Sequence, residues 1–293
     1  MTTFSSLDSH LKIKIFENID FRYYHNIMDQ FMEDATIQGD MRVVDYFLNH
    51  KEGRNIHKGF LLQRSGKNRQ YKLFKYILNK MGDEDKEIRC TINVDWQWVW
   101  LEVGEGGSRE IVNLLMEKTA ENTHDYSSGA AGACKGGNIE LAEYCFEMFN
   151  HKNPSYNVNN FIEQMILNVC QSNSVKAIDH FIQKSVDNGK KICWGELLRN
   201  VAIGGHPTSI KHIIDLMKIN NIEIDWNDGL MGASHAYHLN LVNFFITKGA
   251  NQFKKAYRGM FNGSQSERND EYIAVRNLLV PESKGNPYWY HPR

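Results

Sequence analysis

Residues 105–116, EGGSREIVNLLM, set two glycines between a short apolar run and an amphipathic one. Glycines that open a helix can present backbone N–H groups to a phosphate, and the same spelling can close a helix hairpin. A phosphate loop of this kind continues into Lys-Ser or Lys-Thr, and neither pair follows Gly107. Other residue types that could do chemistry are equally unassembled. His235 and His238 sit at one turn, and His206 and His212 flank another, but no carboxylate or cysteine completes a metal set at ligand spacing and no His-Glu-x-x-His occurs. Cys90, Cys134, Cys145, Cys170 and Cys193 are odd in number and share no C-x-x-C spacing, which suits reduced thiols in the cytoplasm better than a disulfide frame. Neither a Ser/His/Asp set nor a pair of carboxylates at catalytic spacing stands out. The expectation is a non-enzyme with no cofactor and no metal.

The elements around those glycines repeat, and the repetition decides between the two readings of the loop. The segment KGGNIELAEYCF (135–146) aligns with 105–116 glycine to glycine and apolar to apolar, and so do QSNSVKAIDHFI (171–182), IGGHPTSIKHII (203–214), HAYHLNLVNFFI (235–246) and IQGDMRVVDYFL (37–48). Shorter copies lie at 73–78 and 274–279. The second apolar position of each copy is Val44, Phe74, Val112, Ala142, Ile178, Ile210, Val242 and Val275, so the intervals run from 30 to 38 residues and about eight units fill the chain. Before each turn stand apolar and small residues at helical spacing, such as Trp100, Leu101 and Val103, or Ala130, Ala131 and Ala133. After it comes a second stripe, such as Ile111, Val112, Leu114 and Leu115. Each unit therefore reads as two helices, and the glycine as a turn where a left-handed backbone needs no Cβ. The fold class expected is all-α.

The segment 238–251, HLNLVNFFITKGAN, with its closing Gly249-Ala250-Asn251, resembles the ankyrin-repeat signature, and GGNIELAEYCF resembles the same stretch. The likeness covers roughly residues 28–280, and the divergent, aspartate-aromatic openings resemble the ankyrin proteins of large DNA viruses and intracellular bacteria. It implies an ankyrin-like α-solenoid of about eight helix-turn-helix repeats. No copy has the Thr-Pro-Leu-His start, and insertions interrupt the pattern around 81–94 and 150–160. A tetratricopeptide array is the competing solenoid; its early bulky residues and closing proline are not consistently present.

The resemblance further implies a protein-binding scaffold that uses its concave face, with contacts just before each first helix and at its end. Mapped onto this chain, those positions are Asp95, Gln97 and Glu105; His124, Asp125, Ser127 and Lys135; Glu163 and Gln171; and Asp225, Asn227 and His235. Their acidic lean suits a protein partner with a basic or mixed surface. The chain's 34 basic against 35 acidic residues argue against nucleic acid or an anionic membrane as the main partner. No run reaches the roughly 20 apolar residues of a membrane span. Residues 1–20 lack a signal-peptide apolar stretch, so a cytoplasmic monomer is expected, in the host cytoplasm if the source is a virus or intracellular bacterium.

Counting back eleven residues from each turn gives Trp96, Tyr126, Ile162, Trp194 and Trp226, a recurrent bulk that suits packing between units. Counting back nine gives Trp98, Ser128, Gln164, Glu196 and Asp228. Trp98 breaks a polar habit there: it is either an exposed contact residue or a wedge beneath the 81–94 insertion. Residues 1–27 carry a stripe of Leu7, Leu11, Ile15, Phe16 and Ile19 that suits a helix capping the first unit. The same segment resembles the opening helix of an F-box but is too short for a whole one. It leaves a ubiquitin-ligase substrate adaptor as an alternative function, and a structural component of a viral particle as another. Residues 281–293, with Tyr288, Trp289 and Tyr290, read as an extended tail.

Overall fold

The computed structural model describes residues 7–17, 25–49, 58–84, 94–260 and 270–280. Among these, seventeen α-helices and no strand are present. They fall into two compact units, Met1–Tyr156 and Asn157–Arg293.

The first unit contains α1 (Ser9–Glu17), α2 (His25–Gln38), α3 (Met41–Asn49), α4 (Lys58–Lys67), α5 (Tyr71–Glu84), α6 (Trp96–Gly106), α7 (Arg109–Lys118), a single 3-10 turn (Glu121–Thr123), α8 (Tyr126–Lys135) and α9 (Ile139–Lys152). From α2 onward they form hairpins, and the first helix of each hairpin packs on that of the next, α2 on α4 on α6 on α8. The second unit is built in the same manner from α10 (Val158–Val169), α11 (Val175–Asp187), α12 (Trp194–Gly204), α13 (Pro207–Ile219), α14 (Trp226–His235), α15 (Leu239–Thr247), α16 (Phe253–Met260) and α17 (Asp270–Leu279). There α10, α12, α14 and α16 stack in succession.

The turns fall where the sequence alignment places them. Gly39, Arg69, Gly107, Gly137, Gly205 and Tyr237 occupy one register position, and all six have a left-handed backbone with φ between 57° and 76°. At Gly107 that conformation lets its N–H reach the carbonyls of Val103 and Gly104, closing the end of α6. Arg69 and Tyr237 hold it at φ 57° and 59° despite their side chains, so the hairpin imposes the turn even where the residue does not favour it. The next position starts the second helix. Asp40, Ser108, Asn138 and Ser174 each accept the N–H three residues on (from Val43, Ile111, Leu141 and Ala177), the satisfied cap of a helix start. Three residues at this position also reach back to the preceding hairpin. Gln70 Nε2 donates to the Ile37 carbonyl at 3.0 Å, Asn138 Nδ2 to the Gly107 carbonyl at 3.1 Å, and His238 Nε2 to the Ile203 carbonyl at 3.0 Å.

Apolar stripes fill the interior. Val44, Phe74, Val112, Ala142, Ile178, Val242 and Val275 are fully buried, and Ile210 nearly so. The small residues of the first helices allow close helix approach: a Cβ on Gly132 of α8 would overlap the Leu101 carbonyl oxygen of α6. Cys134 and Cys170 are buried fillers, and burial pushes the thiols of Cys145 and Cys170 up to about 12, well out of the range of a nucleophile.

Several expectations are corrected. The apolar stripe of α1 does not face inward: Leu11 is 46% and Ile15 37% exposed, whereas Lys12 is 3% exposed. The cause is the polar turn after α2. Lys12 Nζ donates to Gln38 Oε1 at 2.9 Å and pairs with Asp40 at 3.4 Å, while Ser9 Oγ donates to Asp40 Oδ1 at 2.9 Å. Burying a cap carboxylate requires polar partners, and these outweigh the apolar stripe. Asn173, aligned with the turn glycines, does not adopt the left-handed turn; Ser172 and Ser174 close that hairpin with side-chain hydrogen bonds instead. In α10 the helix begins four residues before the aligned position, because Asn157 caps it, so Ile162 lies in its second turn. The insertion at 150–160 is an extension of α9 to Lys152 followed by a short connection. Most of the 81–94 insertion, the start of the N-terminal segment, Ile19 and the 281–293 tail lie outside the described residues.

Candidate functional site

The expected contact positions cluster at the helix ends of each unit. In the first unit, Asp95 precedes α6, and its Oδ1 accepts the Trp98 N–H at 3.4 Å, a loose N-cap. Asp95 and Gln97 are exposed. One turn into the helix, Trp98 is 52% exposed. Its neighbour on the opposite face, Trp100, is fully buried and anchors the helix: its indole N–H donates to the Thr123 carbonyl at 2.9 Å. The ring of Trp100 also stacks edge-on against Tyr126, with centroids 5.3 Å apart, and lies 5.8 Å from His124. Residues 85–93, beneath which the wedge reading sets Trp98, lie outside the described residues.

The other positions of this unit have internal partners. Burial lowers the pKa of His124, and the Lys152 ammonium adds to that; the Thr119 backbone and Glu121 offset it in part. Asp125 caps α8 with both carboxylate oxygens occupied: Oδ1 accepts from the Ser128 N–H and the Ser127 hydroxyl, and Oδ2 from the Ser128 hydroxyl. At the far end of α6, Glu105 pairs with Lys67 at 2.8 Å, and Lys67 also reaches Glu102 at 3.2 Å. Arg64 completes a network across α2, α4 and α6, pairing with Glu33 at 2.8 Å and standing 3.9 Å from Glu102. Lys135 at the end of α8 is half-buried.

In the second unit, Glu163 pairs with Lys190 at 3.5 Å, and Gln171 Nε2 donates to Asn200 Oδ1 at 3.2 Å. Asp225 caps α14, accepting the Asn227 N–H at 2.9 Å, and Asn227 Oδ1 accepts the N–H groups of Asn251 and Gln252 at 2.8 and 2.9 Å. His235 Nδ1 donates to the Gly259 carbonyl at 3.1 Å. With His238 bound to Ile203, both histidines of that turn are engaged by backbone carbonyls, and His212 lies 2.6 Å from Asp179 Oδ1. Among the described residues no group of three or more metal-binding side chains converges.

Two features of this unit escaped sequence reasoning. Partial burial raises the Asp228 carboxyl, as do nearby Asp225 and Glu196, against the pull of Lys255 and Arg199. Asp228 lies against Gly195, a proximity between α14 and α12 that only the helix stacking creates. A small cleft between α10, α11 and α12 is lined by Glu163, Ser185, Lys190, Cys193 and Glu196, with room for about 40 Å³ of solvent.

The start of α6 presents an exposed indole, an exposed carboxylate and an exposed amide on one helix. No helix among the described residues is long and apolar enough to cross a membrane. Comparison of the chain with protein-family models, with curated proteins and with solved structures finds no match.

Proposed function

We propose that the chain is a non-enzymatic protein-binding scaffold, an ankyrin-like solenoid of about eight helix-turn-helix units that binds a protein with a basic or mixed surface through the edge carrying the first-helix N-termini. The recurring left-handed turn position and the side chains that reach back one hairpin support the repeat reading. The observation that carries the functional reading is Trp98. A tryptophan 52% exposed on a helix whose opposite face is locked by Trp100 contributes nothing obvious to its own fold, and such residues dominate protein interfaces. The test is affinity capture from the native cell with the parent chain and with Trp98→Ala. A partner retained by the parent and lost by a normally folded variant supports the proposal. Equal capture by both removes Trp98 from the interface and with it this reading.

The exposure of Leu11 and Ile15 on α1 favours a second reading, a ubiquitin-ligase substrate adaptor that docks the ligase through residues 4–27. Binding of a purified ligase adaptor subunit to the parent, abolished in Leu11→Asp/Ile15→Asp, would select it over the scaffold alone.

A further inference from the structure

The geometry points to a specific anchor at the start of α6: the partner inserts an arginine side chain whose guanidinium lies over the Trp98 indole and pairs with the Asp95 carboxylate. The inference rests on the scaffold reading and names the chemistry of its contact.

Asp95 and Trp98 are three residues apart at a helix start, and the Asp95 carboxylate accepts the Trp98 backbone N–H. Asp95 Oδ1 accepts one long hydrogen bond, at 3.4 Å from the Trp98 N–H, and no bond to Oδ2 is present among the described residues. The equivalent carboxylates differ. Asp125 has both oxygens engaged, and Asp225 accepts the backbone and side-chain N–H groups of Asn227, both at Oδ1, whereas Asp95 accepts one long bond. The positions equivalent to Trp98 in those hairpins hold Ser128 and Asp228, so of these three helix starts only that of α6 sets an exposed aromatic ring there. Tryptophan offers the strongest cation-binding face of the aromatic side chains. Among the described residues, cations lie over Phe60, Tyr76, Tyr144, Tyr126 and Phe244, and none over Trp98.

Arginine fits better than lysine because a planar guanidinium stacks on an indole while directing N–H groups at a carboxylate beside it.

The probe is N-acetyl-arginine N-methylamide, titrated into the full 15N-labelled chain while the tryptophan indole N–H signals are followed, with the lysine analogue and the neutral citrulline analogue as comparisons. The Trp98 signal is identified by its loss in Trp98→Ala. The expected result is a saturable shift of that signal with arginine, weaker binding of lysine, and binding of citrulline at least about fivefold weaker. Asp95→Asn, which keeps a good helix cap, should weaken arginine binding at least about threefold, with the circular dichroism of the chain unchanged. Equal response to arginine and citrulline, or no effect of Asp95→Asn, overturns the inference. If the captured partner still depends on Trp98 in either of those cases, the scaffold reading stands and only the arginine contact falls. Loss of Trp98 dependence fells both.

Discussion

Replacing Gly132 by alanine tests the closest helix contact in the first unit. A Cβ at Gly132 would overlap the Leu101 carbonyl oxygen, standing also 2.8 Å from the Leu101 carbonyl carbon and 2.9 Å from the Glu105 nitrogen. These are backbone atoms of α6, fixed by that helix's own hydrogen bonds, so no flexible side chain can swing aside. Two effects oppose each other. Alanine favours a helix interior over glycine by about 0.8–1 kcal/mol. Overpacking costs about 1–3 kcal/mol, and a backbone obstacle puts this site near the top of that range. The net expectation is a loss of about 2 kcal/mol, which for a unit of this size lowers the melting temperature by roughly 4–8 °C. Gly59→Ala is the matched control, because its nearest neighbours are Val94 atoms at 3.4 Å, an ordinary contact. There the helix preference acts with little opposition, and the variant should equal or exceed the parent. Thermal unfolding followed by far-ultraviolet circular dichroism measures both. If Gly132→Ala melts at or above the parent, α6 and α8 are not held at glycine-limited distance, and the stacking order described for the first unit is wrong.

Trp98→Ala should change stability by less than about 1 kcal/mol, against the roughly 3–5 kcal/mol expected had the ring been buried, while weakening the partner by about 2 kcal/mol or more; one variant measured by melting and by affinity gives both values. Phe245→Asp should cost several kcal/mol, since the ring is fully buried against Trp226, Phe244 and Gly229, and a charge there has no partner; a melting temperature within about 2 °C of the parent would contradict the register of α15. His124 predicts a pH dependence. Its pKa is lowered from 6.5 in the folded chain, chiefly by burial, so the unfolded chain takes up the proton first. The stability it contributes is present above pH 6.5 and is lost as the pH falls through the folded value. Melting temperatures from about pH 8 to about pH 5 should therefore fall more steeply for the parent than for His124→Asn, and parallel curves would show that the ring is not buried.

The hairpins were legible because their signals are local. A helical stripe, a turn residue and a capping side chain lie within a dozen residues, and their recurrence places the turn even at Arg69 and Tyr237, where no glycine marks it. The same locality explains where the reading fell short. Leu11 and Ile15 form a credible apolar stripe, but the side of α1 that is buried depends on Asp40, about thirty residues on, which requires the ammonium of Lys12. The turn at Asn173 looked like its siblings, yet the serines on either side supply a different closure.

The candidate site divides along the same line. Aspartate before a first helix was readable as a cap, and Asp95, Asp125 and Asp225 all cap. How much of each carboxylate remains for a ligand was not readable, because it depends on the neighbours. Ser127 and Ser128 fill the acceptors of Asp125, Asn227 directs two donors at Oδ1 of Asp225, and Gln97 and Trp98 leave Asp95 with a single long bond. Three residues of identical type and register thus differ in what they can offer another molecule. The difference arises from the two or three side chains that follow each aspartate. Of these three helix starts, that of α6 is the one that also carries an exposed aromatic ring. An anchor requires both groups at once, which is why the functional argument concentrates on α6 rather than on the acidic edge as a whole.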